Sequence, residues 1–292
     1  MKKFLVQFLI FWLLPVAWIA CSASIRTIGH KPYKTDPSVS TIITGDSHVQ
    51  CAIDDSNLDT MKNISTSSEC YLYSYYKLRE IFEHNPNIRH LVLGFSYHNL
   101  SSYYDDYLTG EPAVSVLSRY VDVIDPSEYV KLVRTNFKLI RPILKKIAIP
   151  LSMKRHRYIG GFLHRDTGDM SVNEKTINRR IKNQYYRNQE PRSYSQTNIE
   201  YFYKILDLCK RHDVSIILLS TPTHPEHYRK IPDTFKSLYL QLIRENNLTV
   251  IDFAGLKLSD EHFMPDGDHL NNRGAALATE YFSNSLKNHL PE

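Results

Sequence analysis

The sequence predicts an α/β fold in which a mainly parallel sheet is sandwiched between helices. Three observations carry that expectation. Short β-branched or apolar runs end abruptly at Gly or a polar turn, and amphipathic helical repeats separate those runs. Residues able to do chemistry fall immediately after the runs, where such sheets place their ligand sites. At 292 residues and 42% apolar the chain can bury a sizeable core, as one large domain or a domain carrying an insertion.

The expected elements follow in order. Val39–Thr44 is β-branched and closes at Gly45, a first strand. Residues 61–64 form a short second strand, followed by Ser65-Thr66-Ser67-Ser68, which can cap a helix. Tyr71, Tyr75, Leu78 and Phe82 then recur at helical spacing, and His90–Leu93 closed by Gly94 is a third strand. Ile199, Phe202, Leu206 and Cys209 mark a helix leading into a fourth strand at Val214–Leu219. Leu248–Phe253 is a fifth strand, and Leu277, Ala278, Tyr281, Phe282 and Leu286 form a last helix.

Residues 106–195 interrupt this alternation. Pro126–Ile149 reads as helical, with Tyr129, Leu132, Val133 and Phe137 on one side. The segment 131–192 carries 16 Lys and Arg against 4 Asp and Glu, a net +12, which leaves the rest of the chain at −7. With its basic clusters, Lys154–Arg157 and Arg179–Lys182, the insertion reads as a lid or substrate platform whose charge would attract anionic glycans, lipid headgroups or nucleic acid, with a solvated charged face as the plainer reading.

The first 26 residues read as a membrane anchor or signal segment. Lys2 and Lys3 precede 22 uncharged residues, Phe4–Ile25, and Arg26 ends the run. Such a run can span a bilayer with its basic end on the cytoplasmic side, which places residues 27–292 outside the cytoplasm and argues against nucleic acid as a partner. Cleavage near Cys21-Ser22-Ala23, or lipoprotein processing at Cys21, are the alternatives, giving a secreted or lipid-anchored form. Cys51 and Cys70 either pair in an oxidising compartment or are two buried thiols. No cysteine spacing resembles a zinc site, and no cofactor or metal is implied.

Ser47, in Gly45-Asp46-Ser47-His48, has the position of a nucleophile: a hydroxyl on a turn after a strand, with Asp46 free to cap the helix that follows and Gly45 allowing a tight turn. A serine needs a base, and the base needs a group that fixes its tautomer. Asp266-Gly267-Asp268-His269 supplies both, with Asp266 favoured over Asp268 as the orienter because a three-residue spacing puts it on the same side as His269. Thr221–His227 contains His224 and His227 but reads as a proline-stiffened wall, not a metal frame.

On Gly45-Asp46-Ser47 and Asp266-x-x-His269 the chain resembles the SGNH (GDSL-like) hydrolase family over residues 39–105 and 196–290. With its N-terminal segment it resembles the exported, membrane-anchored DltD-like type of that family. The resemblance implies a flavodoxin-like three-layer α/β/α fold and ester or acyl-transfer chemistry on cell-envelope glycans or small acyl esters. Ser47 is then the nucleophile, His269 the base and Asp266 its orienter. The family's second block, which supplies a Gly N–H to the oxyanion, falls here on Ser65–Ser68, making Ser67 the candidate donor. Its third block, Gly-x-Asn-Asp, reads Gly94-Phe95-Ser96-Tyr97-His98-Asn99, so either Ser96 or Asn99 takes the Asn role. A non-catalytic protein that keeps the fold and holds an anionic polysaccharide is the alternative from a different class.

Overall fold

In the computed structural model the described residues are 2–29, 33–142, 144, 159–166, 168, 171–253 and 255–289. Five strands form one sheet: β1 (Thr41–Thr44), β2 (Met61–Asn63), β3 (His90–Gly94), β4 (Ser215–Leu219) and β5 (Val250–Ile251). Every pairing is parallel, and the spatial order is β2-β1-β3-β4-β5. Chain direction across the sheet reverses between β1 and β3, and a crevice opens at the strand ends of such a reversal.

Alternation along the strands sorts the core into two layers. Ile42, Leu91, Leu93 and Leu218 face helices α3 (Tyr71–His84), α6 (Gln196–Arg211) and α7 (Asp233–Glu245). Ile43, Val92, Ile217, Leu219 and Ile251 face the short α2 (Ser47–Ala52) and the C-terminal α8 (Asn272–Lys287). Helices thus cover both faces, an arrangement compatible with a three-layer α/β/α sandwich. Strands buried on both sides explain the unbroken apolar runs in the sequence.

Four details differ from the sequence expectation. Ser65–Ser68 does not cap α3; the N-cap is Cys70, with no side-chain cap bond. Those residues are spent in the loop instead: Thr66 N–H donates to Gly45 O at 3.0 Å, Ser67 Oγ to Gln50 Oε1 at 2.6 Å, and Ser68 turns the chain at φ +64°. The helix begun at Pro126 (α4, Pro126–Thr135) is interrupted at Asn136, which leaves helical geometry and whose side chain caps a following 3-10 turn at Lys138; helical geometry resumes at residues 140–142 and 144, and residues 145–149 lie outside the described residues. Phe137 is consequently exposed instead of sharing the stripe with the buried Leu132. Helix α7 was not anticipated, although Phe235, Tyr239 and Leu242 bury one face of it.

Gly45 serves close packing, not the tight turn expected of it. A Cβ there would lie 2.6 Å from Val49 Cγ2, and one at Gly94 would lie 2.4 Å from the same methyl. The two glycines let α2 press onto the sheet where β1 and β3 end.

Short helices and α4 follow β3, then α5 (Glu174–Tyr185) and a small hairpin precede α6. This insertion shares the main core: Leu108, Leu117, Tyr120, Ile177, Ile181 and Tyr185 are buried in the same cluster as α3 and α6. The basic cluster Lys154–Arg157 lies outside the described residues.

Helix α1 runs over Lys2–Gly29 and exposes Phe4, Phe8, Phe11, Trp12, Leu14 and Trp18. Among the described residues no helix is long and apolar enough to cross a membrane. The side chains of residues 5, 9, 19, 20 and 22–29 fall outside that description, so it does not cover the whole uncharged run. Cys21, Cys51, Cys70 and Cys209 are all unpaired, Cys51 and Cys70 as two separate buried thiols.

Gly94→Ala should destabilise the fold by about 1–3 kcal/mol through overpacking. Urea midpoints of Gly94→Ala and Gly94→Ala/Val49→Ala test it: the double variant should recover part of the loss, since the clash is with the Val49 methyl.

Candidate active site

The site assembles beyond the carboxyl ends of the strands. Ser47 follows β1, Ser65–Ser67 follow β2, Ser96–Asn99 follow β3, Thr221–His227 follow β4 and Asp266–His269 follow β5. Asp46 is the N-cap of α2, its Oδ1 accepting from His48 N–H at 2.9 Å, and this fixes Ser47 as the first helical residue.

Ser47 Oγ lies 2.9 Å from His269 Nε2 across 222 residues of sequence. On the other side of that ring, Nδ1–H donates to Asp266 Oδ2 at 2.8 Å. Asp266 is itself held by the backbone N–H groups of Asp268 and His269, at 3.0 and 3.2 Å on Oδ1. Ser47 is half-exposed while the His269 ring is buried, so the hydroxyl is reachable and its base is shielded from water. Burial pushes His269 below the ordinary imidazole pKa, outweighing the bond to Asp266, so the ring is a free base at neutral pH. Burial works against the charge on Asp266, yet the His269 hydrogen bond holds that carboxyl well below the usual range.

Beneath this line lies a buried layer that the sequence did not reveal. Asp46 Oδ2 accepts from His98 Nε2 at 2.7 Å, from Asn99 Nδ2 at 3.0 Å and from the Tyr104 hydroxyl. Asp268 Oδ2 accepts from Arg180 Nε and Gln184 Nε2, both at 2.7 Å, and lies 3.1 Å from His48 Nε2. His227 Nε2 stands 3.4 Å from Asp268 Oδ1, beyond hydrogen-bond reach. Asp268 is therefore bonded to the insertion helix, and the carboxylate that holds His269 Nδ1 is Asp266. No local pattern could have found its partners: Arg180 and Gln184 come from the insertion helix α5, more than eighty residues upstream.

The side chains of Ser67 and Asn99, the Ser96 N–H and the Gly94 carbonyl are engaged elsewhere, while the Ser67 backbone N–H proposed as a donor is not among these bonds. Ser67 Oγ is bonded to Gln50. The Gly94 carbonyl accepts from the Tyr71 hydroxyl at 2.8 Å. Ser96 N–H donates to Asn99 Oδ1 at 2.7 Å, and Asn99 Nδ2 goes to Asp46. Ser96 and Asn99 thus brace the turn that presents the nucleophile. Of the histidines after β4, His224 contacts Asp260 at 3.1 Å and His227 is buried beside Asp268.

A strap from the insertion closes one side. Gly161 N–H donates to Ser65 O at 3.0 Å and Leu163 N–H to Gln50 O at 2.8 Å. Arg165 exchanges a pair of bonds with Asn272, at 2.6 and 2.8 Å. It therefore spans from the loop after β2, over α2, to the start of α8. Gly160 is required there: it has φ +118°, and a Cβ would fall 2.0 Å from Ile64 O.

Ligand atoms of His48, Asp268 and His269 lie within 4.8 Å of one another, close enough to hold a metal ion. Two of the three groups are already engaged, however. His269 Nε2 meets Ser47, and the Arg180 guanidinium sits on Asp268, where a second cation would be repelled.

A protein-family model that carries no description matches residues 152–291. It spans Arg180, Asp266, Asp268 and His269 but not Ser47. No curated protein matches the chain.

Asp268→Asn removes the counter-charge of His48 and Arg180 and should cost about 3–5 kcal/mol. Burial opposes the Asp268 charge, but His48, His227 and Arg180 hold its folded pKa well below the ordinary carboxylate value. Its contribution is therefore present above the unfolded value and lost as pH falls. The gap between wild type and Asp268→Asn in urea titrations should narrow once pH drops below about 4, and a gap constant from pH 7 to pH 2 would refute it.

Proposed function

We propose that the protein is a serine esterase or O-acyltransferase of the SGNH type, acting on acyl groups of cell-envelope glycans or on small acyl esters. The observation that carries this reading is the 2.9 Å contact between Ser47 Oγ and His269 Nε2, with Asp266 behind the imidazole. A serine aligned with a neutral, shielded histidine that a carboxylate orients is the minimum needed to make a hydroxyl nucleophilic.

In this reading Ser47 attacks the ester carbonyl while His269 takes its proton. The imidazolium so formed is stabilised by Asp266 and returns the proton to the departing alcohol. Water, or a sugar hydroxyl in the transferase case, then attacks the acyl-Ser47 ester with His269 again as base. The strap and the insertion shelter this space, and the degree of water exclusion decides between hydrolysis and transfer.

Location belongs to the same proposal. The uncharged run Phe4–Ile25 behind Lys2 and Lys3, with its large apolar side chains exposed on α1, supports attachment to a membrane with the site on the extracytoplasmic side. Acylated glycans of the envelope are the substrates available there.

One observation favours a second reading, a non-catalytic binding protein for an anionic polysaccharide. The Ser67 hydroxyl donates to Gln50 and the Asn99 amide to Asp46, so neither of those side chains is poised as an oxyanion donor. Losing one such donor typically costs about 10²–10³ in rate.

The full-length protein in detergent should turn over a short-chain aryl ester and be labelled on Ser47 by a fluorophosphonate. Ser47→Ala and His269→Ala should each reduce turnover by about 10⁴-fold or more, since triad members act as a unit. Folded wild-type protein that is neither labelled nor active, yet retains an anionic glycan, would favour the binding reading.

A further inference from the structure

Three imidazole rings pack in a row beneath the nucleophile, neighbouring planes tilted by 31° and 56°. The centroid of His48 is 4.6 Å from that of His269 and 4.0 Å from that of His98. Each ring has its own carboxylate: Asp266 for His269 at 2.8 Å, Asp268 for His48 at 3.1 Å, and Asp46 for His98 at 2.7 Å. Only the outermost ring, His269, belongs to the triad. His48 and His98 have relative exposures of 4% and 3% and are not needed to build it.

Neighbouring imidazoles at this separation cannot all be charged in a site with little water, so the protons must be distributed among them. The groups around His48 decide where. From the turn before α2 comes Asp46, and from the loop after β5 come Asp268 and His269. His98 comes from the turn after β3, Arg180 from α5 and His227 from the short helix Pro225–Arg229. His48 therefore stands between two buried carboxylates, whereas His269 faces one that is partly open to solvent.

We propose that His48 is a positioning residue for the reaction, held as an imidazolium by Asp268 and Asp46 and packed against His269, which it keeps in the free-base form that accepts the Ser47 proton. The inference rests on the triad reading and extends it to a residue with no part in the chemistry itself. It also gives the insertion a role at the site, because Arg180 and Gln184 fix the Asp268 carboxylate that holds His48.

Electrostatics agree in direction. Burial works against a charge on His48, but Asp268 and Asp46 outweigh it and raise its pKa. Burial lowers His98 and His269, and the charge on His48 lowers both further. A neutral–charged–neutral row of rings results. The charge on His48 widens the acidic range in which His269 stays a base, at some cost to its strength as one.

The test is the pH dependence of kcat/KM for an aryl ester in wild type and His48→Gln. Removing the neighbouring charge lets His269 protonate more readily. The acid limb should move to higher pH by about 0.5–1.5 units, a shift that simple loosening of the site would not produce. An unmoved limb, or one moved to lower pH, overturns the proposal. Nitrogen-15 spectra of histidine-labelled wild-type protein at pH 6.5 provide a readout needing no variant. His48 should be doubly protonated there while His98 and His269 are neutral, and a neutral His48 overturns the proposal. If wild type turns over no ester, the functional reading fails separately. The His269 titration in the spectra of His48→Gln then decides: a shift to higher pH supports the coupling, and none refutes it.

Discussion

Three carboxylates buried or nearly buried at one end of a parallel sheet constrain everything else at the site. Asp46, Asp266 and Asp268 stand within a few residues of the nucleophile or its base, and an unpaired charge there would be prohibitively costly. Each is paired with an imidazole, and Asp46 and Asp268 also draw hydrogen bonds from Asn99, Tyr104, Arg180 and Gln184. The backbone follows from those pairings. Asp46 caps α2 and so sets Ser47, while Asp266 and Asp268, two residues apart, turn the last loop so that His269 points at Ser47.

The same constraint explains why the insertion is built into the core. Arg180 leaves the basic segment to balance Asp268, and Tyr104 leaves the turn after β3 to reach Asp46. The net charge of +12 between residues 131 and 192 is thus partly internal, spent on the site and on partly buried pairs such as Arg192–Asp106. Acidic loops after β1 and β5 and a basic insertion are two halves of one arrangement.

Local signals were readable in the sequence, and distant ones were not. The inner strands β1, β3 and β4 announced themselves because they are covered on both faces, which leaves apolar runs, whereas the edge strand β2 buries only Asn63. Ser47, Asp266 and His269 stood out because a hydroxyl on a strand-ending turn and an Asp-x-x-His spacing are each short-range patterns. Helix α7 was missed although Phe235, Tyr239 and Leu242 carry a helical period, because the proline-rich approach at Pro222, Pro225 and Pro232 reads as loop. His48 and His98 gave no sign of their roles. Their meaning depends on contacts with Asp268 and Asp46, 220 and 52 residues away, and no periodicity encodes such pairs. The serine cluster misled for a related reason: its side chains and backbone satisfy the loop around α2 before they can cap α3.

The central claim is that this arrangement makes the Ser47 hydroxyl a nucleophile. The most direct measurement is acid quenching during turnover of an acetyl ester, followed by mass mapping of the peptides. The account predicts an acetyl group on Ser47 of the wild type that disappears in His269→Ala. An acetyl group on a different residue such as Cys51, or catalytic turnover with no acylated Ser47 at any quench time, would contradict it.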